Sequence, residues 1–264
     1  MAQKITRRQA IGGLAAVLAS VGTYGLLTSR DLRVNRQELR LKRWGAPGFR
    51  IVQISDVHVN DAAQLATARR AVDLAVQERA DLIVFTGDFV NYDSEQALSN
   101  IPLAFEGLEG ARCPCLAILG NHDYQCGSVD QVVAQAAKTK LNLLRNRRID
   151  LGGVVVSGLE DAYQKPDYEL APYTKSSLVL LHEPDYVQQL PGHVSLMLAG
   201  HSHGGEICLP GGIPLYTPTG SRRYTAGFYD RPTVPLFVSR GTATLGPGRT
   251  YCPAEINVLT LNPA

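Results

Sequence analysis

No sign of charge dominates this chain of 264 residues: its net charge is +2, and 19% of its residues are charged. With 45% hydrophobic residues the composition is globular, which excludes a disordered tail protein. There is no internal repeat and no low-complexity tract, so a collagen-like array is excluded too. Cysteine is sparse and odd in number, at positions 113, 115, 126, 208 and 252. An odd count prevents complete pairing, and no pair has zinc-finger spacing. Cys113 and Cys115 are too close together for an easy disulfide, and the chain is no disulfide-stapled miniprotein. The cysteines read as small buried hydrophobes, and an exported location would permit one disulfide. What the length does allow is a sizeable core.

The near-neutral total hides an asymmetry. Residues 1–43 hold nine Lys and Arg against Asp31 and Glu38, a local charge of +7, so residues 44–264 carry −5. A body of that sign is a poor polyanion binder, and no nucleic acid is expected as a partner. Ile11 to Leu27 is an uncharged run of 17 residues entered through Lys4, Arg7 and Arg8. As a helix it would be about 25 Å long, a little short of a bilayer core. The run Thr6-Arg7-Arg8-Gln9-Ala10-Ile11 resembles the twin-arginine export signal, with Ala10 where a bulkier residue is commoner. We therefore divide the chain into a signal or anchor segment over 1–29, a basic linker over 30–45 and a folded domain over 46–264. The expected partners are the twin-arginine export machinery and a membrane surface, on which the basic stretch can lie. No small-x-small pair follows Leu27, which favours an uncleaved anchor at the bacterial inner membrane or in the periplasm. Six Lys and Arg after the segment against three before it favour the opposite orientation, an anchored protein with a cytoplasmic body. The arginine pair is given more weight.

From residue 50 onward, short apolar runs alternate with polar loops and helical stretches. Residues 51–55, 82–86, 116–119, 178–181 and 194–198 read as strands covered on both faces. Helices are expected over 62–79, behind the N-cap Asp61, and over 94–108 and 128–137. Beyond Glu206 the chain is rich in Gly and Pro, with strands at 236–239 and 256–260. The pattern is that of one α/β domain with two sheets, the second more antiparallel than the first.

Chemistry-bearing residues follow each apolar run. Asp56-Val57-His58 follows the first, Gly87-Asp88-Phe89-Val90-Asn91 the second and Gly120-Asn121-His122-Asp123 the third. His182-Glu183-Pro184-Asp185 follows the fourth, and Gly200-His201-Ser202-His203-Gly204-Gly205 the fifth. Open α/β sheets bind ligands at the carboxyl ends of their strands. Five such ends would converge on one crevice, carrying five of the six histidines and leaving only His193 elsewhere. Asp, Asn and His form a mixed N/O donor set without thiolate, suited to divalent Mn, Fe, Zn, Co or Ni, with Mg possible. The donors are too many for one ion. Two ions about 3.5–4 Å apart sharing a carboxylate are the economical solution, suited to in-line displacement at phosphorus. Gly87, Gly120 and Gly200 precede ligands where the backbone must bend or approach a neighbour closely.

These five motifs resemble those of the calcineurin-like metallophosphoesterases: D-x-H, G-D-x-x-N, G-N-H-D, a lone H and G-H-x-H, all in order across residues 56–203. Gly204 to Ile207, Ser239-Arg240-Gly241 and Arg249 to Ile256 resemble the membrane-associated or exported bacterial branch, which includes phosphodiesterases and enzymes cleaving UDP-2,3-diacylglucosamine in lipid A synthesis. Ser202 stands where that branch often has Thr, and Glu206 where it often has Gln; the added charge of Glu206 could alter substrate preference. The resemblance implies a single-domain α/β/β/α sandwich of two mixed sheets flanked by helices. It implies one metal on Asp56, His58, Asp88 and His203, and a second on Asp88, Asn121, His182 and His201, with Asp88 bridging. His122 would face the scissile phosphate, Asp123 would orient His122 by a hydrogen bond, and Asn91 would brace the loop or contact phosphate.

Other residues stay open. Glu183 and Asp185 read as structural, with Pro184 starting a helix and Asp185 in its first turn. Arg222, Arg223 and Arg240 are candidates for phosphate contact, and the tyrosines over 163–173 for packing or substrate stacking. The expected activity is metal-dependent hydrolysis of a phosphodiester, pyrophosphate or monoester bond in a small-molecule or lipid-linked phosphate at the cell envelope. Two alternatives are a nucleotide or protein phosphatase with soluble substrates, and an envelope protein that binds phosphate polymers without turnover.

Overall fold

Residues 6–28, 32–168, 176–230, 233–246 and 248–264 are described by a computed structural model of the protein. Lys4, Arg30 and Tyr173 lie outside the described residues. The first half runs α1 (Arg7–Thr28), β1 (Arg33–Leu41), β2 (Phe49–Ile54), α2 (Ala62–Gln77), β3 (Leu82–Thr86) and α3 (Glu95–Phe105). It continues through β4 (Cys115–Ile118), α4 (Asn121–Gln125), α5 (Val129–Ala136) and β5 (Asn142–Leu143). The second half holds β6 (Arg147–Asp150), β7 (Val155–Gly158), β8 (Ser177–Leu180), β9 (Leu196–Ala199), β10 (Cys208–Leu209) and β11 (Ile213–Pro214). It ends with β12 (Gly227–Tyr229), β13 (Leu236–Val238) and β14 (Glu255–Pro263).

Two six-stranded mixed sheets result, ordered β1-β14-β2-β3-β4-β5 and β12-β13-β9-β8-β7-β6. Strand alternation divides the apolar residues between three layers of core. Ile51, Leu82, Val84 and Ile118 meet Leu178, Leu180, Leu196 and Leu198 between the sheets. The opposite faces of the same strands, with Val52, Ile54, Ile83 and Phe85, pack on α2 and α3 through Val72, Ala75, Ile101 and Phe105. Outside the second sheet, Val179, Met197 and Val238 pack on Val187 and Leu190, in and beside a 3₁₀ helix over Pro184–Gln189. The expected helices start where their caps direct: the Asp61 carboxylate accepts from Gln64 N and the Ser94 hydroxyl from Ala97 N.

The second sheet is the more antiparallel of the two, as expected, with β6 and β12 antiparallel at its edges, although its centre of β7, β8, β9 and β13 is mutually parallel. The C-terminal β14 enters the first sheet, antiparallel to β2. One expectation is corrected: the basic stretch is no linker but the edge strand β1, paired with β14 in parallel over nine positions from Arg33↔Glu255 to Leu41↔Pro263. Leu39 and Leu41 point into the core while Glu38 and Arg40 face solvent, the period-two pattern of a half-buried strand.

Arg7 and Arg8, both exposed, open α1. Among the described residues, no helix is long and apolar enough to cross a membrane. All five cysteines are free.

Candidate metal centre

Strands β2, β3, β4, β8 and β9 each lead at the C-terminal end into a loop, and these five loops bring their side chains to one place. The loop backbones are unusual. Among the described residues ten non-glycine residues have positive φ, and five of them are expected ligands: Asp56, His58, Asp88, His201 and His203. Such conformations cost about 1–3 kcal/mol each and persist only where surrounding structure enforces them. Here Asp56 N donates to Gly87 O, His58 N to Asp88 O, and His201 N to Asp56 Oδ1. The preceding glycines allow the approach. A Cβ on Gly87 would lie 2.6 Å from His182 Nδ1, one on Gly120 2.8 Å from His182 Cε1, and one on Gly200 2.5 Å from Asp56 Oδ2.

The seven expected ligands are all buried, and the structure brings them together. Asp56, His58, Asp88 and His203 offer ligand atoms within 4.8 Å of one another, as do His182, Glu183 and His201. Asp88 joins the two groups: its Oδ2 is 3.4 Å from His58 Nε2 and 3.2 Å from His182 Nε2. On the first side, His58 Nε2 faces His203 Nε2 at 3.2 Å, and His203 Nε2 lies 3.5 Å from Asp56 Oδ1. On the second, Asn121 Oδ1 is 2.8 Å from His201 Nδ1. Carbonyl acceptors orient two of the rings: His182 Nδ1 donates to Thr86 O at 2.6 Å, and His201 Nε2 to Thr219 O at 2.9 Å. Each thereby turns its other nitrogen toward the cluster, as metal-ligating imidazoles do.

The cluster's chemistry fits cations. The buried His182 Nε2 makes no well-aligned hydrogen bond, its nearest acceptor being Asp88 Oδ2 at 3.2 Å. Burial pushes His58 down to about 3 and, with the neighbouring His182, His201 down to about 4, so both rings are neutral and present lone pairs at neutral pH. Burial pushes the Asp88 carboxyl up, but the His182 and His58 rings more than reverse this and hold it well below the usual carboxylate range. Asp88 in turn draws a proton onto His182, against the effect of burial. Two buried carboxylates thus recruit positive charge to the place where the imidazole nitrogens converge.

Supporting residues take roles that the motifs alone do not reveal. Asp123 does not orient His122; its oxygens accept from the backbone N–H groups of Asp88, Phe89, Val90 and Gly120 and tie two ligand loops together. His122 is only half-buried, with its backbone N–H on Asp88 Oδ1 and its ring Nδ1 3.3 Å from Asn91 O. Asn91 braces through its backbone, its N–H donating to Asn60 Oδ1 at 2.7 Å. Asp185 lies in the first turn of the 3₁₀ helix over Pro184–Gln189, as expected, and its carboxylate accepts from the N–H groups of Arg222, Arg223 and Tyr224, which fixes the loop carrying Thr219. Arg240 pairs with Glu255 at 2.8 Å. The fully buried Arg249 donates to His203 O at 3.0 Å and lies beneath that ring. Glu206, held down to about 2, accepts from Leu245 N and Gly246 N and lies 3.3 Å from His203 Nδ1, so its charge is engaged within the loop. Tyr163 packs edge-on against Tyr186 with 6.0 Å between centroids, and Tyr168 packs on the outer core. Over this side-chain cluster opens a cleft of about 250 Å³ lined by Asn121, His122, His201, Tyr216, Pro218 and Leu245 among others.

Among known proteins, residues 49–205 match the calcineurin-like phosphoesterase family. The uncharacterized metallophosphoesterase YkuE of Bacillus subtilis is 32% identical, with 98% of each chain covered. Phosphodiesterase YaeI of Escherichia coli is 27% identical over 97% of this chain and 99% of its own. UDP-2,3-diacylglucosamine pyrophosphatase LpxG of Chlamydia muridarum is 26% identical over 86% of this chain and 88% of its own. A dimetal phosphatase structure from Danio rerio shares the fold, with a TM-score of 0.51 at 12% identity over 81% of this chain and 99% of that one. A family match over more than half the length, joined to a relative at 32% identity from end to end, places the chain: it belongs to the calcineurin-like phosphoesterases.

Proposed function

We propose that the protein is a phosphoesterase working with two divalent ions, one held by Asp56, His58, Asp88 and His203 and the other by Asp88, Asn121, His182 and His201. The observation that carries this reading is the position of Asp88 Oδ2, between His58 Nε2 at 3.4 Å and His182 Nε2 at 3.2 Å. A single carboxylate oxygen facing both halves is what a shared ligand requires. Bound ions of the Mn, Fe, Zn, Co, Ni or Mg type supply Lewis-acid charge and an activated water at neutral pH. The chain's own residues do the rest. His122 lines the cleft and, with Nδ1 on Asn91 O, keeps Nε2 to hold or give up a proton at the leaving oxygen. Asp123 keeps the Asp88 and Asn121 loops in register and so acts as a positioning residue.

The substrate we infer is an amphiphilic or lipid-linked phosphodiester or pyrophosphate at the cell envelope, reached by twin-arginine export with α1 kept as an anchor. Three features support this: the apolar cleft wall of Tyr216, Pro218 and Leu245, the arginine pair opening α1, and the likeness to a pyrophosphatase named for a diacylated sugar nucleotide. Asp88→Asn is expected to abolish hydrolysis of bis-p-nitrophenyl phosphate and to lower bound metal in elemental analysis. Full turnover by that variant would remove the bridging role.

A further inference from the structure

Twelve large hydrophobic side chains are exposed among the described residues, and nine of them fall in two places. Val17, Tyr24 and Leu27 lie on α1. Ile207, Leu209, Ile213, Leu215 and Tyr216 lie on the β10–β11 hairpin and its flanks, with Leu245 beside them; Ile213, Leu215 and Tyr216 are 60%, 62% and 74% exposed. No charged residue occurs from Ile207 through Ser221, and the stretch then ends in Arg222 and Arg223, both exposed. An uncharged apolar tip followed by a basic rim is the pattern of a segment that enters the boundary of an anionic lipid layer.

The hairpin is a built feature, secured at both ends. Leu215 N donates to Ile207 O and Cys208 N to Thr250 O, both at 3.0 Å. Gly205, two residues after the ligand His203, packs so closely against it that a Cβ would collide with Pro214 and lie 3.0 Å from Tyr216 O. At its other side the hairpin tip borders a cleft that also reaches α1. Gly211 and Gly212 share a shallow cleft with Tyr24, Arg33 and Tyr251, and the Tyr24 ring stacks on Tyr251 with centroids 5.1 Å apart. The hairpin thus runs from a cleft it shares with Tyr24 of α1 to the rim of the metal cleft, where Tyr216 and Leu245 form the wall.

We propose that the Ile207–Tyr216 hairpin inserts into the headgroup–acyl boundary of an anionic bilayer and seats the metal cleft at headgroup depth. Its benefit for catalysis rests on the phosphoesterase reading above; the docking itself does not. A phosphate presented by a lipid would then reach the cleft without its acyl chains leaving the bilayer.

The test uses the full-length chain with vesicles of phosphatidylglycerol and phosphatidylethanolamine carrying brominated acyl chains. The single native tryptophan, Trp44, is buried and gives a constant background. In Ile213→Trp the added indole should blue-shift and lose roughly half or more of its emission on vesicle binding, whereas wild-type emission should barely change. An unquenched indole on vesicle-bound protein overturns the proposal. The double variant I213D/L215D should turn over hexadecyl p-nitrophenyl phosphate in vesicles roughly tenfold more slowly, with unchanged turnover of soluble bis-p-nitrophenyl phosphate. Equal loss on both substrates would make the hairpin a support of the site, and a wild-type dimer dissociated by I213D/L215D would make its occupant a second copy; either result overturns lipid docking. If no form hydrolyses either substrate, the phosphoesterase reading fails, and quenching still decides the docking.

Discussion

At the scale of single residues, the site is made by backbone as much as by donors. Asp56, His58, Asp88, His201 and His203 all sit at positive φ, where a side chain costs energy that a glycine would avoid. That cost is tolerated where the donor is needed, while the strictly small positions are Gly87, Gly120 and Gly200, one residue before Asp88, Asn121 and His201. Gly120 shows the margin: its Cα–H faces Asp88, and a Cβ would lie 2.7 Å from Asp88 N and collide with Oδ1. Gly120→Ala should therefore displace Asp88 by a sizeable fraction of an ångström and slow bis-p-nitrophenyl phosphate hydrolysis by roughly a hundredfold, the order expected for such misplacement. His122→Ala should behave differently. The ring is half-buried and holds only Asn91 O, so metal content by elemental analysis should stay near wild type while kcat falls by about 10²–10⁴. Loss of metal in that variant would assign His122 to the ligand set instead. The donors were legible in the sequence because they follow the apolar runs in close succession. The role of Asp123 was only partly so: Gly120 N lies three residues away, but the N–H groups of Asp88, Phe89 and Val90 come from a distant loop and find it only after folding.

At the scale of elements, apolar strands were easy to read and polar ones were not. The β3 sequence Leu82-Ile83-Val84-Phe85-Thr86 is buried on both faces and announces itself. Strand β1, Arg33–Leu41, carries arginines at every third or fourth position and lies at a sheet edge, so only Leu39 and Leu41 mark its inward face. Edge strands favour such charge because it discourages pairing with other chains. The parallel centre of the second sheet was hidden for another reason: β9 and β13 are neighbours although nearly forty residues separate them, and nothing local encodes that pairing. The β1 finding sets where the catalytic body begins. A fragment of residues 32–264 should keep a melting temperature within a few degrees of the full chain. A fragment of residues 46–264 loses Leu39, Leu41 and Trp44 from the inner core, each leucine contributing about 1.5–3 kcal/mol, and bares the whole edge of β14. It should melt well below the longer fragment and aggregate in size-exclusion chromatography; equal behaviour of the two would return residues 30–45 to the status of a linker.

At the scale of the whole molecule, the two-sheet sandwich places a rigid core behind a polar cluster that is costly without cations. The expected ligands come from loops spread over residues 56–203, following β2, β3, β4, β8 and β9, and the leucine layer between the sheets fixes how far apart those loops sit. The metal-free cluster must keep two buried carboxylates and a set of facing imidazole nitrogens together with no charge between them but a proton on His182. Unfolding returns these buried charged groups to water, so the apo protein gives up part of the stability that its core provides. Ions that bind the folded chain and not the unfolded one restore it by mass action. At a free concentration about a hundred times Kd the gain is about 2.7 kcal/mol. For a chain of this size each kcal/mol moves the melting temperature by about 2–4 °C. Chelated protein titrated with manganese or zinc should therefore melt roughly 5–10 °C higher once loaded, and Asp88→Asn should lose most of that shift because one carboxylate serves both ions. A wild-type melting temperature indifferent to every divalent ion tried would mean that the cluster is held by its hydrogen bonds alone, and the shared-ligand arrangement would have to be abandoned.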